Sequence, residues 1–205
     1  PDLRNRKKTV GGTKNIRVED VLALKPDLVV ANKEENPRPI VEAIAAEVPT
    51  YISDVNDLTS SMDMISDLGA LTGRESSAAA IRREFEASLG FLRTSVTGLR
   101  PVRVLYLIWK DPYMAAGTDT FITAALGILK LDNALWDLGD KGKRYPAVPL
   151  HLMRELRPEV ILLSSEPYPF DERHAAELAR EIADTAMLCV DGEAFSWYGS
   201  RWNKS

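Results

Sequence analysis

Leu22-Ala23-Leu24-Lys25-Pro26-Asp27-Leu28-Val29-Val30-Ala31 is the stretch that decides the fold. Apolar residues at helical spacing run over 19–24 and stop at Lys25-Pro26, because proline cannot continue a helix and biases the residue before it away from helical geometry. The apolar run that follows is too short for a helix and suits a strand buried on both faces. Helix, tight turn and buried strand is the predicted unit. Pro37 and Pro39 suit the first turn of a second helix, with Ile40, Val41, Ile44 and Ala45 on one stripe. Val48-Pro49 closes that helix ahead of a strand over 50–53.

The same order returns later in the chain. An offset of 158 − 26 = 132 pairs Leu24-Lys25-Pro26-Asp27-Leu28-Val29-Val30 with Leu156-Arg157-Pro158-Glu159-Val160-Ile161-Leu162, and Glu34 with Glu166. Leu-basic-Pro-acidic-apolar is also a common passage from helix to strand. The shared order beyond it, a Pro-rich loop, a helix and another strand, favours an internal repeat.

Between the copies, Asn56/Asp57 caps a helix with Leu58, Met62, Ile65 and Leu68 on one face, which stops near Gly73. A helix over 75–97 follows, carrying Ile81, Phe85, Leu89, Leu92 and Val96 on one stripe, with Gly98 and Pro101 as stop signals. At about 1.5 Å per residue it spans roughly 35 Å, long enough to join two lobes rigidly. Strand 102–109, helix 120–131, helix 150–156, strand 159–163, helix 172–183 and strand 186–190 come next, and the tail 192–205 begins another helix. Alternation of this kind predicts an α/β fold with parallel sheets and helices on both faces, and the long helix can join two lobes of this kind. The predicted division is 1–73, 74–98 and 99–205. Only the second copy has a strand and helix, 102–131, ahead of its matching segment. The first lobe is therefore expected to lack its opening strand and helix, with roughly 40–50 residues and a secretion signal before Pro1.

Composition narrows the function. With 205 residues and 45% hydrophobic content, the chain can build one large core or two small ones. No apolar run approaches the roughly 18–20 residues that a membrane helix needs. A net charge of -4 argues against a nucleic-acid surface, and the basic run from Arg4 to Lys8 reads as a solvated tail. Cys189 stands alone in an apolar strand pattern, so it reads as a small core residue that forms no disulfide within the chain.

In doubly wound sheets, ligands sit beyond the carboxyl ends of the strands. In the second lobe these ends are aromatic: Trp109-Lys110-Asp111-Pro112-Tyr113, then Ser165-Glu166-Pro167-Tyr168-Pro169-Phe170, then Phe195-Ser196-Trp197-Tyr198. Aromatic rings on loops offer flat amphipathic contact area at low entropic cost, which suits a large planar or rigid ligand. The alternative is that they cap the core beneath the loops. Trp136 and Trp202 read as structural. The matching end in the first lobe, Asn32-Lys33-Glu34-Glu35-Asn36, is polar and is expected to form an opposite wall. Glu34 and Glu166 invite an acid/base or metal reading, weakened by the lack of nearby His or Cys. His151 and His174 fall on amphipathic helices, as surface imidazoles ordinarily do. Gly11-Gly12-Thr13-Lys14 has too little context for a phosphate loop.

Val10-Gly11-Gly12-Thr13, the run from Leu22 to Val29, the long helix and Glu166-Pro167-Tyr168-Pro169-Phe170 together resemble the vitamin B12-binding group of class III, helical-backbone periplasmic binding proteins. The resemblance implies a non-enzymatic, monomeric extracytoplasmic protein, periplasmic or lipid-anchored. It would deliver a corrinoid, haem or ferric siderophore to an ABC importer and have no intrinsic cofactor or metal. It also implies two Rossmann-like lobes joined by one long rigid helix, and transporter docking through Glu19 and Glu193, while the strand ends themselves point to ligand contacts at Asn32, Lys33, Glu34, Trp109, Tyr113, Glu166, Tyr168, Phe170, Trp197 and Tyr198. Cobalamin binders carry stacking tryptophans at the positions of Asn32 and Ala194, and Phe-Glu where this chain has Phe195-Ser196. A chelatase-like enzyme using Glu34 and Glu166 is the competing expectation.

Overall fold

The first helix, α1 (Val18–Leu22), ends where the proline rule puts it: Lys25 takes a left-handed φ of 48°, Pro26 follows, and strand β1 (Val29–Asn32) begins three residues later. The computed structural model describes residues 6–138 and 144–199. Helix α2 (Arg38–Ala45) starts at Pro37, carries Pro39 in its first turn and buries Val41 and Ile44. Strand β2 (Thr50–Ser53) then lies parallel to β1, with Val29 opposite Thr50 and Asn32 opposite Ser53. These elements belong to one compact unit, which ends at Asp54; a second begins at Val55.

In the second unit, Asp57 caps α3 (Leu58–Thr72). Its carboxylate accepts the Ser60 N–H at 2.7 Å, and Gly73 closes the helix in the left-handed region. A Cβ on Gly69 would fall 2.6 Å from that of Ala78, so α3 packs backbone to side chain on α4 (Glu75–Ser95). Phe85 and Leu89 of α4 join Val55, Met62, Phe121, Ala125 and Ile128 in one buried cluster. The three-part sequence division counts 55–73 with the first lobe, whereas that segment packs inside the second unit.

The second sheet is built around β3 (Val102–Trp109), five of whose residues are buried. After a turn, β4 (Met114–Ala115) runs back antiparallel along its upper half. Helix α5 (Phe121–Ile128), capped by Thr120, leads to β5 (Leu131–Asn133), parallel to the lower half of the same edge. A 3₁₀ turn (Ala134–Leu138) and α6 (Leu150–Leu156) cross to β6 (Val160–Ser164) on the other side of β3. Helix α7 (Glu172–Glu181), β7 (Ala186–Val190) beside β6, and α8 (Gly192–Ser196) complete the unit.

Period-two alternation sorts the core. Leu105, Leu107, Ile161 and Leu163 face Met153 and Leu156 of α6 and Ala175 and Leu178 of α7. Val104, Tyr106, Ile108 and Leu162 face Ile122 and Leu126 of α5. Helices thus cover both faces of a mainly parallel sheet, as predicted. The sequence reading missed β4 and β5. It carried the helix to 131, whereas Leu129 caps it and Lys130, at φ 56°, turns the chain into β5. Among the described residues, no helix is long and apolar enough to cross a membrane.

Candidate functional site

Because β5 and β6 flank β3 on opposite sides, the crossover direction reverses at β3. The carboxyl ends of β3 and β6 are therefore the switch point where open α/β sheets bind ligands. Trp109 stands there at the last position of β3, 41% exposed, and meets Tyr168 edge to face at 5.7 Å. The Tyr168 backbone N–H donates to the Ile108 carbonyl at 3.2 Å, which ties the loop after β6 to the end of β3. Below, Tyr168 leans on Phe170 at 4.7 Å and on the edge of His174 at 5.4 Å.

His174 corrects the reading of a surface imidazole. Asp171 caps α7, and the His174 ring closes the reciprocal capping box, with Nδ1 accepting the Asp171 N–H at 3.1 Å. Its side chain is 16% exposed, and Nε2 lies 3.2 Å from the Tyr168 hydroxyl. The signal was in the sequence as Asp-x-x-His, a capping-box spacing with His in the Glu/Gln position. His151 is exposed as expected.

The segment after β7 closes the other side. The Ser165 N–H donates to the Val190 carbonyl at 3.0 Å, and the Gly192 N–H to Ser165 Oγ at 2.9 Å. Glu166 Oε1 accepts from Ser196 Oγ and from Trp197 Nε1, each at 2.7 Å. A Cβ on Gly192 would lie 2.3 Å from Ser164 Oγ and 2.6 Å from Glu166 Cγ, so only glycine allows this approach. Beneath, the fully buried Tyr106 hydroxyl reaches Ser164 Oγ at 3.1 Å, and burial pushes its phenol upward. Trp197 remains 48% exposed.

Other expected contacts have different roles. Phe170, 6% exposed, belongs to the core and supports Tyr168 rather than forming the surface. Tyr113 is half-buried against the same core, and burial raises its phenol. Tyr198 packs edge to face on Phe121 at 5.4 Å, within the cluster of α3, α4 and α5. Lys110 donates to Glu177 at 2.6 Å, a bond that raises the lysine and lowers the glutamate. Trp136, read as structural, is 57% exposed because the 3₁₀ turn buries Ala134 and Leu135 instead. Trp202 lies outside the described residues. Cys189 is half-buried against the core, and burial raises its thiol.

In the first unit, the strand end is a self-satisfied polar turn. Asn32 Oδ1 accepts the N–H groups of Glu34 and Glu35 at 2.9 and 3.1 Å, and its amide donates to Ser53 Oγ at 3.2 Å. Lys33 pairs with Asp54, and Lys14 Nζ donates to the Glu34 carbonyl at 2.5 Å. Glu19, in the first turn of α1, is 78% exposed and 3.8 Å from Arg17.

A hollow of about 590 Å³ lined by Arg103, Asp137, Arg154, Glu155, Leu156 and Arg157 lies at the opposite, amino end of the strands. Arg103 donates to the Leu156 and Ala134 carbonyls and to Asp137, and Arg154 to the Glu181 carbonyl. These guanidiniums satisfy the Leu156 and Glu181 carbonyls left over at the carboxyl ends of α6 and α7, and the Ala134 carbonyl at the start of the 3₁₀ turn, so the hollow is structural. Among the described residues, no group of three His, Cys, Asp or Glu could hold a metal ion.

The model of the periplasmic binding protein family matches residues 1–188. The chain belongs to that family. A vitamin B12-binding protein of Yersinia pestis (strain Pestoides F) is 22% identical over 192 residues, covering 93% of this chain and 68% of that protein. Among solved structures, the periplasmic heme-binding protein BhuT in complex with two hemes superposes with a TM-score of 0.81 at 23% identity, over 100% of this chain and 81% of that one. The periplasmic vitamin B12-binding protein BtuF of Vibrio cholerae gives 0.79 at 19% identity, over 98% and 78%. At these identities the structural likeness establishes the fold alone, that of the class III periplasmic binding proteins.

Proposed function

We propose that this periplasmic binding protein captures a large, rigid metal chelate (a corrinoid, haem or ferric siderophore) and delivers it to an ABC importer outside the cytoplasm. The observation that carries the reading is the aromatic surface at the switch point, where Trp109 is held against Tyr168 at 5.7 Å and Trp197 stands exposed beside the same loop. Three indole or phenol groups fixed by backbone and side-chain bonds offer preorganised apolar area, which lowers the entropic cost of binding a flat amphiphile. The relatives that bind vitamin B12 or heme support the same ligand class.

Titrating the full-length protein with cyanocobalamin, haemin and ferrichrome tests this. At least one should quench tryptophan fluorescence, and Trp109→Ala should weaken that ligand by about tenfold or more. Absence of both quenching and heat of binding across the panel would refute the chelate class.

Glu19, exposed on α1, and Glu193, in the first turn of α8, are the carboxylates proposed to dock on the importer's membrane subunits. Glu19→Ala should leave ligand affinity intact and lower uptake; unchanged uptake would remove Glu19 from that role. The chelatase-like reading has little support, because it needs Glu166 to act on a substrate while that carboxylate is bonded to Ser196 and Trp197.

A further inference from the structure

The sequence places Glu166 among the ligand contacts, but its carboxylate is engaged elsewhere. We propose that Glu166 is a positioning residue that fixes the Trp197 indole, and so the outer aromatic face of the site, before any ligand arrives. The role of that face rests on the binding function proposed above.

The geometry carries the argument. Glu166 stands two residues past the end of β6, and Trp197 one residue past α8, 31 positions apart in the chain. A single oxygen, Oε1, accepts the indole Nε1–H and the Ser196 hydroxyl, both at 2.7 Å. An indole nitrogen can only donate, so its bond to a carboxylate acceptor fixes where the ring's edge lies, and the residue remains 48% exposed. The Ser196 hydroxyl has one proton and two acceptors in reach, the Gly192 carbonyl at 2.8 Å and this carboxylate. The charged acceptor makes the stronger bond, so the hydroxyl turns to Glu166 and helps hold it.

The stem of Glu166 is fixed too. Its Cγ lies only 2.6 Å from where a Gly192 Cβ would be, and its backbone N–H faces Ser164 Oγ at 3.4 Å. The Glu166 end of the clasp therefore rests on the carboxyl end of β6, while Trp197 is carried by α8, its backbone N–H bonded to the Glu193 carbonyl at 3.1 Å. Such a bond replaces the rotational freedom of an exposed tryptophan with one orientation, and affinity rises because less order has to be imposed on binding.

The first measurement needs no ligand. In a ¹⁵N–¹H spectrum of the full chain, with the Trp197 indole assigned by its loss in Trp197→Phe, Glu166→Ala should shift that resonance and speed its proton exchange by about tenfold or more. Glu166→Gln, whose amide oxygen still accepts, should restore most of the protection. An indole signal unmoved in Glu166→Ala would overturn the proposal, whatever the ligand.

The second measurement uses the member of the cyanocobalamin, haemin and ferrichrome panel that quenches the wild type. Glu166→Ala should weaken it by about tenfold, and this loss should vanish in a Trp197→Phe background. An equal loss in both backgrounds would make Glu166 a direct ligand contact and overturn the positioning role. If no chelate binds the wild type, the function proposed above fails, while the indole measurement still decides the role of Glu166.

Discussion

Lys25 and Arg157, 132 positions apart (157 − 25), hold the same left-handed backbone, φ 48° and 46°, each one residue before a proline that leads into a parallel strand. The equivalence continues at the strand ends. Asn32 Oδ1 accepts the N–H of Glu34 and Ser164 Oγ that of Glu166, at the same offset. Helix, strand, side-chain turn, helix and parallel strand are thus built twice, which gives the sequence repeat a structural basis.

A left-handed conformation costs an L residue with a Cβ about 1–2 kcal/mol, whereas glycine adopts it freely but loses more entropy on folding. Lys25→Gly and Arg157→Gly should each raise stability by about 0.5–1 kcal/mol in chemical denaturation, the balance of those effects. Alanine at either site should not. A destabilised glycine variant would show that the basic side chains contribute more than the backbone conformation costs.

Gly192→Ala should be among the costly single substitutions in the second unit. Its Cβ would enter the space of Ser164 Oγ and Glu166 Cγ, and overpacking of this kind costs about 1–3 kcal/mol. Gly90→Ala in α4, with nothing within 4 Å of the new Cβ, should instead stabilise by about 0.5–1 kcal/mol. Thermal unfolding of the pair reads both signs. Equal shifts would mean that the clasp around Gly192 relaxes without cost.

Two exposed carboxylates give the protein an acid limb. The Arg100 guanidinium, helped by the Arg103 backbone N–H, holds Glu159 at about 2 instead of 4.5. The Arg173 side chain and the α7 cap hold Asp171 at about 2 instead of 3.8. Both values are depressed by folding, so the unfolded chain binds more protons in this window. Their stabilising contribution is full above about pH 4.5 and is lost as pH falls toward 2. Glu159→Gln should flatten the stability curve between those limits and leave its shape above pH 6 unchanged. An unaltered acid slope would show that the Arg100 pair is screened out in solution.

His174→Ala should deprive the Asp171 N–H of its Nδ1 acceptor and the Tyr168 hydroxyl of its Nε2 neighbour, at a cost of about 1–3 kcal/mol. His174→Gln can rebuild the capping box but not the edge contact with Tyr168. It should recover part of the stability while the near-UV circular dichroism of the aromatic cluster stays reduced. Full recovery of both signals by glutamine would reduce His174 to a helix cap.

The sequence alone determined the α/β class, the helix-turn-strand repeat, the Asp57 cap, the Gly73 stop and the aromatic strand ends. Each of these is written in local chemistry: proline, glycine and capping residues act on their own backbone, and apolar period marks a face without reference to distant residues. Only the tertiary structure decided which aromatic forms the surface and which lies under it. Trp109 and Phe170 look alike as aromatics at strand ends, yet one is 41% exposed and the other 6%, because the outcome depends on what α6 and α7 bring beneath the sheet. The same limit hid β5, whose three residues carry no period of their own and become a strand by pairing with Val102, Arg103 and Val104. It also hid the task of Glu166, because a hydrogen bond from Trp197 to a loop 31 residues away follows from sheet order, which the sequence encodes only through the packing of the whole unit.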